Sequence, residues 1–148
     1  VEAKSADVTA YEIVLREHRR LKDLLTRVDL ALTQRTSSIS EVASLLAQLG
    51  DQLIKHFALE EDGNYFADLM LRAPQLISRA NALMAQHPKM CTRVRELAVD
   101  LAAPQGPNDW WQETRRRFDA FRAELLRHET CENGLLQDAY VQDLGAHD

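Results

Sequence analysis

Four stretches of this chain carry apolar residues at alternating steps of three and four, and a single histidine interrupts each stripe. That rhythm keeps one face of an α-helix apolar along its length, so it predicts helices that bury a stripe against partners. The stripes read Tyr11, Val14, His18, Leu21, Leu25, Val28, Leu32; then Ile39, Val42, Leu46, Leu49, Leu53, His56, Glu60, Gly63. The third is Leu76, Ala80, Leu83, His87, Met90, Val94, Leu97, Leu101, and the fourth Trp111, Thr114, Phe118, Phe121, Leu125, His128, Glu132, Leu135, Ala139. Only five glycines and four prolines occur in 148 residues. Sheets need frequent turns, so this scarcity favours long helices.

Start and stop signals divide the chain. Thr9-Ala10-Tyr11-Glu12 has the form of a capping box and predicts a first helix over about 9–33. Ser38-Ile39-Ser40-Glu41 is a second box, opening a helix over about 38–72 that Gly50 and Gly63 weaken slightly. Pro74 suits the first turn of a third helix over about 74–102. The run Pro104-Gln105-Gly106-Pro107 breaks the chain, and Asn108 is expected to cap a fourth helix over about 108–140. Pro88 lies inside the third, directly after His87, and predicts a kink or break there. The expected fold is all-α: one domain over 1–148, an antiparallel up-down-up-down four-helix bundle.

The polar residues on the stripes carry the chemistry. His18, His56, His87 and His128 fall one per helix, and Glu60 and Glu132 follow His56 and His128 by one turn on the same face. Glu61, Asp62 and Glu129 fall off the stripes and are expected in solvent or behind the ligands. Folding the chain about its loops sets His18 beside His56, Glu60 beside His87, and His87 within a turn of His128. At about 1.5 Å of rise per residue these offsets are roughly 5 Å or less. One histidine on an apolar face is ordinarily a satisfied core residue. Four at one level with two carboxylates is a different case, because an uncompensated buried carboxylate costs several kcal/mol. No lysine or arginine interrupts a stripe, so metal cations are the expected counter-charge. Mixed imidazole and carboxylate donors favour iron, with manganese or zinc as alternatives, and six donors suit two ions better than one.

These residues resemble the hemerythrin-like family, also called the HHE cation-binding domain. The resemblance is carried by Glu17-His18-Arg19, His56-Phe57-Ala58-Leu59-Glu60-Glu61, Gln86-His87-Pro88 and His128-Glu129-Thr130-Cys131-Glu132-Asn133-Gly134-Leu135-Leu136, over about 9–140. It implies two iron ions bridged by Glu60, Glu132 and an oxo or hydroxo species, with His18 and His56 on one iron and His87 and His128 on the other. It also implies reactivity with dioxygen, another small diatomic or peroxide. Oxygen-carrying members have two histidines four apart on the third helix. Here Leu83 stands four before His87, and Cys91, four after it, is a poor substitute. Fewer imidazoles imply more open or water-filled positions on the irons, which speaks against reversible carriage but not against oxygen reactivity. The leading expectation is a protein that binds or senses a small molecule. Its rivals are an oxidoreductase acting on peroxide or ferrous iron, a helical interaction module held by structural metal, and a sensor domain from a longer chain.

A net charge of -5 argues against nucleic acid, and Arg115-Arg116-Arg117 reads as a solvated surface. No run of about 18 apolar residues is present, so no membrane span is expected, and a cytoplasmic location is the default. Cys91 and Cys131 are too few for a disulfide framework and read as ordinary packing or near-surface residues. Trp110, Trp111, Phe118 and Phe121 are expected to close one end of the core, Tyr65 and Phe66 to serve as packing, and His147 to stay out of the core.

Overall fold

A computed structural model describes residues 2–62, 67, 70–99 and 106–146, with side chains described for 16–62, 67, 70–98, 106 and 108–139. All regular structure among the described residues is helical: α1 Glu2–Gln34, α2 Ile39–Asp62, a 3₁₀ turn Pro74–Leu76, α3 Ile77–Ala85, α4 His87–Val99 and α5 Pro107–Ala146. Residues 70–72 are also helical. Among the described residues five α-helices are bounded, besides the stretch at 70–72, where four continuous ones are expected. Gly63, Tyr65, Phe66, Leu101, Pro104, Gln105 and His147 lie outside the described residues, as do the side chains of Tyr11 and Val14.

The boundaries follow local chemistry. Helix α1 starts at Glu2 and runs through Thr9, so the first capping box does not begin a helix. No glycine or proline separates Glu2 from Thr9, and nothing there interrupts the backbone ladder. It ends at Arg35, whose left-handed φ of 53° halts the helix while its N–H still reaches the Ala31 carbonyl at 3.0 Å. The Arg35 guanidinium donates to Asn108 Oδ1 at 3.2 Å and lies over the Trp111 ring at 5.9 Å, tying this end to the start of α5. Asn108 thus engages α1 instead of capping α5. That helix starts at Pro107, where a missing N–H is harmless, after Gly106 with φ 113°. The second capping box is made: Glu41 N–H donates to Ser38 Oγ at 3.1 Å, and Ser38 N–H donates to Glu41 Oε2 at 3.2 Å.

The third stripe is broken where Pro88 predicts. Proline lacks the N–H that would bond four residues back, and its ring crowds the carbonyl there. The chain answers by closing α3 at Ala85 and turning at Gln86, whose N–H bonds back to Leu83 and Met84. Helix α4 then restarts with His87 at its head.

Cross-helix pairs fix how the elements lie. Residues 18, 29 and 35 of α1 meet 132, 115 and 108 of α5, so one number rises as the other falls. The same inversion relates α4 to α5, where His87 meets His128 and Arg93 meets Glu124. Helix α2 packs against both α1 and α4. The buried residues form two apolar clusters. The larger includes Leu25, Leu46, Leu53, Val94, Phe118 and Leu125, and the smaller holds Ala73, Leu76, Ala80, Leu83, Leu135 and Ala139. Along α5 the order is Leu125, His128, Glu132, Leu135, so the polar residues occupy a layer between the clusters. Trp110 is the buried tryptophan at the end of the larger cluster; Trp111, expected on the stripe, is only half-buried and stands edge-on to it.

Helix α2 passes close to α4 at Gly50, where an added Cβ would meet Val94 Cγ1 at 3.5 Å, an ordinary contact. Gly50→Ala should therefore stabilise the fold by about 0.5–1 kcal/mol, the usual helical gain over glycine. A thermal melt should rise by a few degrees. A lower midpoint would mean that the two helices need the bare backbone.

Candidate metal centre

Each helix that reaches the polar layer contributes donors at the same height. His18 comes from α1, His56 and Glu60 from successive turns of α2, His87 from the first residue of α4, and His128 and Glu132 from successive turns of α5. His56, His87 and His128 are 1–2% exposed and both glutamates 0%, whereas the His18 side chain is 17% exposed. The structure brings all six together. The Nε2 atoms form two pairs, His18 with His56 at 3.1 Å and His87 with His128 at 3.3 Å. Glu60 turns Oε1 toward His56 Nε2 at 2.5 Å and Oε2 toward His87 Nε2 at 3.4 Å. Glu132 does likewise, with Oε1 at 3.9 Å from His18 Nε2 and Oε2 at 3.6 Å from His128 Nε2. Each carboxylate thus offers one oxygen to each histidine pair. His18, His56, Glu60 and Glu132 form one group whose donor atoms lie within 4.8 Å of one another, and Glu60, His87 and His128 form a second.

Ordinary hydrogen bonding does not satisfy this layer. All four carboxylate oxygens and His56 Nδ1 are buried without a hydrogen-bond partner among the described residues. The short His56–Glu60 approach is one of proximity, since the ring N–H does not aim at the oxygen. Ion pairing between protonated histidine and ionised glutamate is also disfavoured. Burial lowers His18, His56 and His128 to about 4, with neighbouring imidazoles lowering His18 and His128 further. Burial lowers His87 as well, against the pull of Glu61. Burial pushes Glu60 up to about 8 and Glu132 to about 9, the latter raised also by repulsion from Glu60. Acids and bases alike are driven neutral.

A cation removes the conflict. Neutral imidazoles then turn lone pairs, not protons, toward each other, as ligation requires. Two nitrogens at about 2.0–2.1 Å from one metal ion stand about 2.9 Å apart at a right angle and about 3.4 Å apart at a tetrahedral angle. The observed pairs fall within that range.

The outer partners hold the rings. His87 Nδ1 donates to Glu61 Oε1 at 2.8 Å, and His128 Nδ1 donates to Gln86 Oε1 at 2.8 Å. Phe57 stacks parallel on His87 with centroids 3.8 Å apart and meets His128 edge-on at 5.5 Å. Sequence reasoning gave Phe57 and Gln86 no role. Phe57 and Gln86 both lie off the stripes. Glu61 and Asp62 are exposed as expected for solvated acids, although Glu61 also reaches His87. Glu129 is not solvated: it is buried against the α1 side, where its charge acts on His56. Glu17 is buried too, accepting from Gln52 and flanked by Arg20 at 3.5 Å and Lys55 at 3.9 Å.

These shifts set a pH signature for the metal-free protein. From about 4 to 6.5 the unfolded chain binds more protons at the histidines, so they add stability as pH rises. From 4.5 to about 8 or 9 the folded chain retains carboxyl protons that the unfolded chain has released, so Glu60 and Glu132 remove stability as pH rises. Above 6.5 only the second effect remains. The metal-free melting temperature should fall between pH 6.5 and 8. Over the same window, the gap to the metal-loaded protein should widen, because ligation needs deprotonated ligands. Calorimetry of both forms at fixed ionic strength checks this; a constant gap would show that the carboxyls are not protonated in the metal-free fold.

Compared with known proteins, the chain matches the family described as the hemerythrin HHE cation binding domain over residues 9–140. No curated protein and no solved structure matches it. The family match covers His18, His56, Glu60, His87, His128 and Glu132 together with the helices that carry them. The chain belongs to the hemerythrin HHE cation-binding domain family.

Proposed function

We propose that this chain is a non-haem di-iron protein that binds or senses dioxygen or a related small molecule between its two histidine pairs. We read the frame as one up-down-up-down four-helix bundle whose third helix is broken at Gln86. The inverted pairing of α1 and α4 with α5 supports that reading. One observation carries the metal assignment: two fully buried carboxylates each turn one oxygen to each histidine pair. A single ion would leave half of those oxygens stranded. Two ions use them all, with His18 and His56 on one, His87 and His128 on the other, and Glu60 and Glu132 shared.

Iron bound in these positions supplies one-electron chemistry and a place for a small oxygen-containing ligand to bind. The chain's own residues do the rest. Imidazole and carboxylate together suit iron better than an all-oxygen or thiolate set would. Four protein donors at most face each ion, fewer than the six of an octahedral shell. Leu83 and Leu135 on one side of the layer, and Leu53 and Leu125 on the other, keep water from the centre. Glu61 and Gln86 hold the His87 and His128 rings with their Nε2 atoms inward.

Purified protein loaded anaerobically with ferrous iron should hold two irons per chain and give a new visible absorption on exposure to air. Glu60→Ala and His128→Ala should lower iron content by at least about tenfold at limiting metal, as expected for loss of a ligand. His147→Ala should keep it. Equal iron in all three variants would overturn the ligand assignment. Recovery of intact dioxygen on lowering its pressure supports a binding role, whereas continuous consumption of oxygen, peroxide or ferrous iron would reassign the centre to an oxidoreductase.

A further inference from the structure

In front, His18 and His56 gather with both Glu60 and Glu132, and His87 and His128 with Glu60; from behind, the two pairs are supported differently. His87 Nδ1 has the Glu61 carboxylate at 2.8 Å, and His128 Nδ1 has the Gln86 side-chain carbonyl at 2.8 Å. Phe57 stacks on the first of these rings and abuts the second. Among the described residues the opposite pair shows no such support. His56 Nδ1 is buried without an acceptor, and Glu129, although buried nearby, acts on it only through space. His18 is also the most exposed of the six donor side chains, at 17% against 0–3% for the others.

We infer that Glu61 and Gln86 are positioning residues that make the His87/His128 position the tight cation site and leave the His18/His56 position exchangeable. The inference rests on the di-metal reading of the six donors. Its physical basis is the ring proton. An imidazole that coordinates through Nε2 must carry its hydrogen on Nδ1, and an acceptor there fixes both tautomer and ring angle before the metal arrives. A carboxylate acceptor such as Glu61 also makes the ring a stronger donor. At His56 the same hydrogen would be buried unpaired, so ligation leaves a polar group unsatisfied. Exposure at His18 adds a route by which water or a chelator reaches that side first.

Gln86 and His87 are consecutive, and Gln86 keeps a right-handed helical backbone with φ -78° and ψ -21°. At the turn before α4 both reach His128, one at Nδ1 and the other at Nε2. Both anchoring side chains belong to exposed residues, so replacing them removes a hydrogen bond without opening the core.

The test titrates metal-free protein with Co²⁺ under nitrogen against a competing chromophoric chelator, following the visible bands of the bound ion. Wild type should take up two equivalents in steps separated by about tenfold or more. Glu61→Ala and Gln86→Leu should each weaken the tight step by about 10–100-fold, the usual cost of losing such a partner, and leave the weak step alone. Gln86→Glu, which keeps an acceptor, should restore it. Proton NMR of the one-equivalent complex should show two slowly exchanging ring N–H signals, one of which broadens with solvent exchange in Gln86→Leu. Helical content by circular dichroism should not change in any variant. Two indistinguishable binding steps in wild type, or equal weakening of both steps in the variants, would overturn the inference while leaving the di-metal reading intact. No Co²⁺ uptake by wild type would sink both.

Discussion

Two carboxylates held out of water beside four imidazoles set the terms for the rest of this molecule. Removing an ionised carboxylate from water costs several kcal/mol even after relaxation. Two such costs compare with a whole domain's stability of about 5–15 kcal/mol. Among the described residues no lysine or arginine is buried with Glu60 and Glu132, and burial drives the histidines neutral, so these residues offer the carboxylates no positive charge. The layer is built for cations, and membership in a cation-binding family agrees with that electrostatic need.

The apolar clusters on either side make the layer possible. Leu53 and Leu125 lie on one side, Leu83 and Leu135 on the other, and all are buried within the same helical rhythm that carries the donors. The frame is rigid because its seams interdigitate over many turns, so donors separated by up to 114 positions in sequence (His18 and Glu132) are held at one height. Exposure grades across the centre, from a wholly enclosed Glu60 to a partly open His18. That gradient gives the site an enclosed interior and a more exposed side. Among the described residues no helix is long and apolar enough to cross a membrane.

Legibility from sequence follows the range of the forces involved. The Ser38 capping box, the break announced by Pro88, and the buried run from Leu21 to Leu32 are local and were readable. The Thr9 box misled because a capping motif matters only where the helix would otherwise stop, and α1 continues past it to Glu2. Trp110 is buried in the larger cluster, and Trp111 packs against it partly buried, as the aromatic residues at the start of α5 suggest. Glu129, off the stripe, is expected in solvent or behind the ligands, and it is buried near His56. Phe57 is also off the stripe, and its partner ring comes from α4.

By itself, the sequence determined that the chain is helical, where its apolar stripes run, and that four histidines and two glutamates interrupt them, because periodicity and capping are written within a turn or two of each residue. Only the tertiary structure decided the distances at which the rings and carboxylates meet, and which rings are braced from behind. Those relations depend on the relative height and rotation of helices joined by loops, and a shift of one residue in either would turn a donor by about 100° away from the centre.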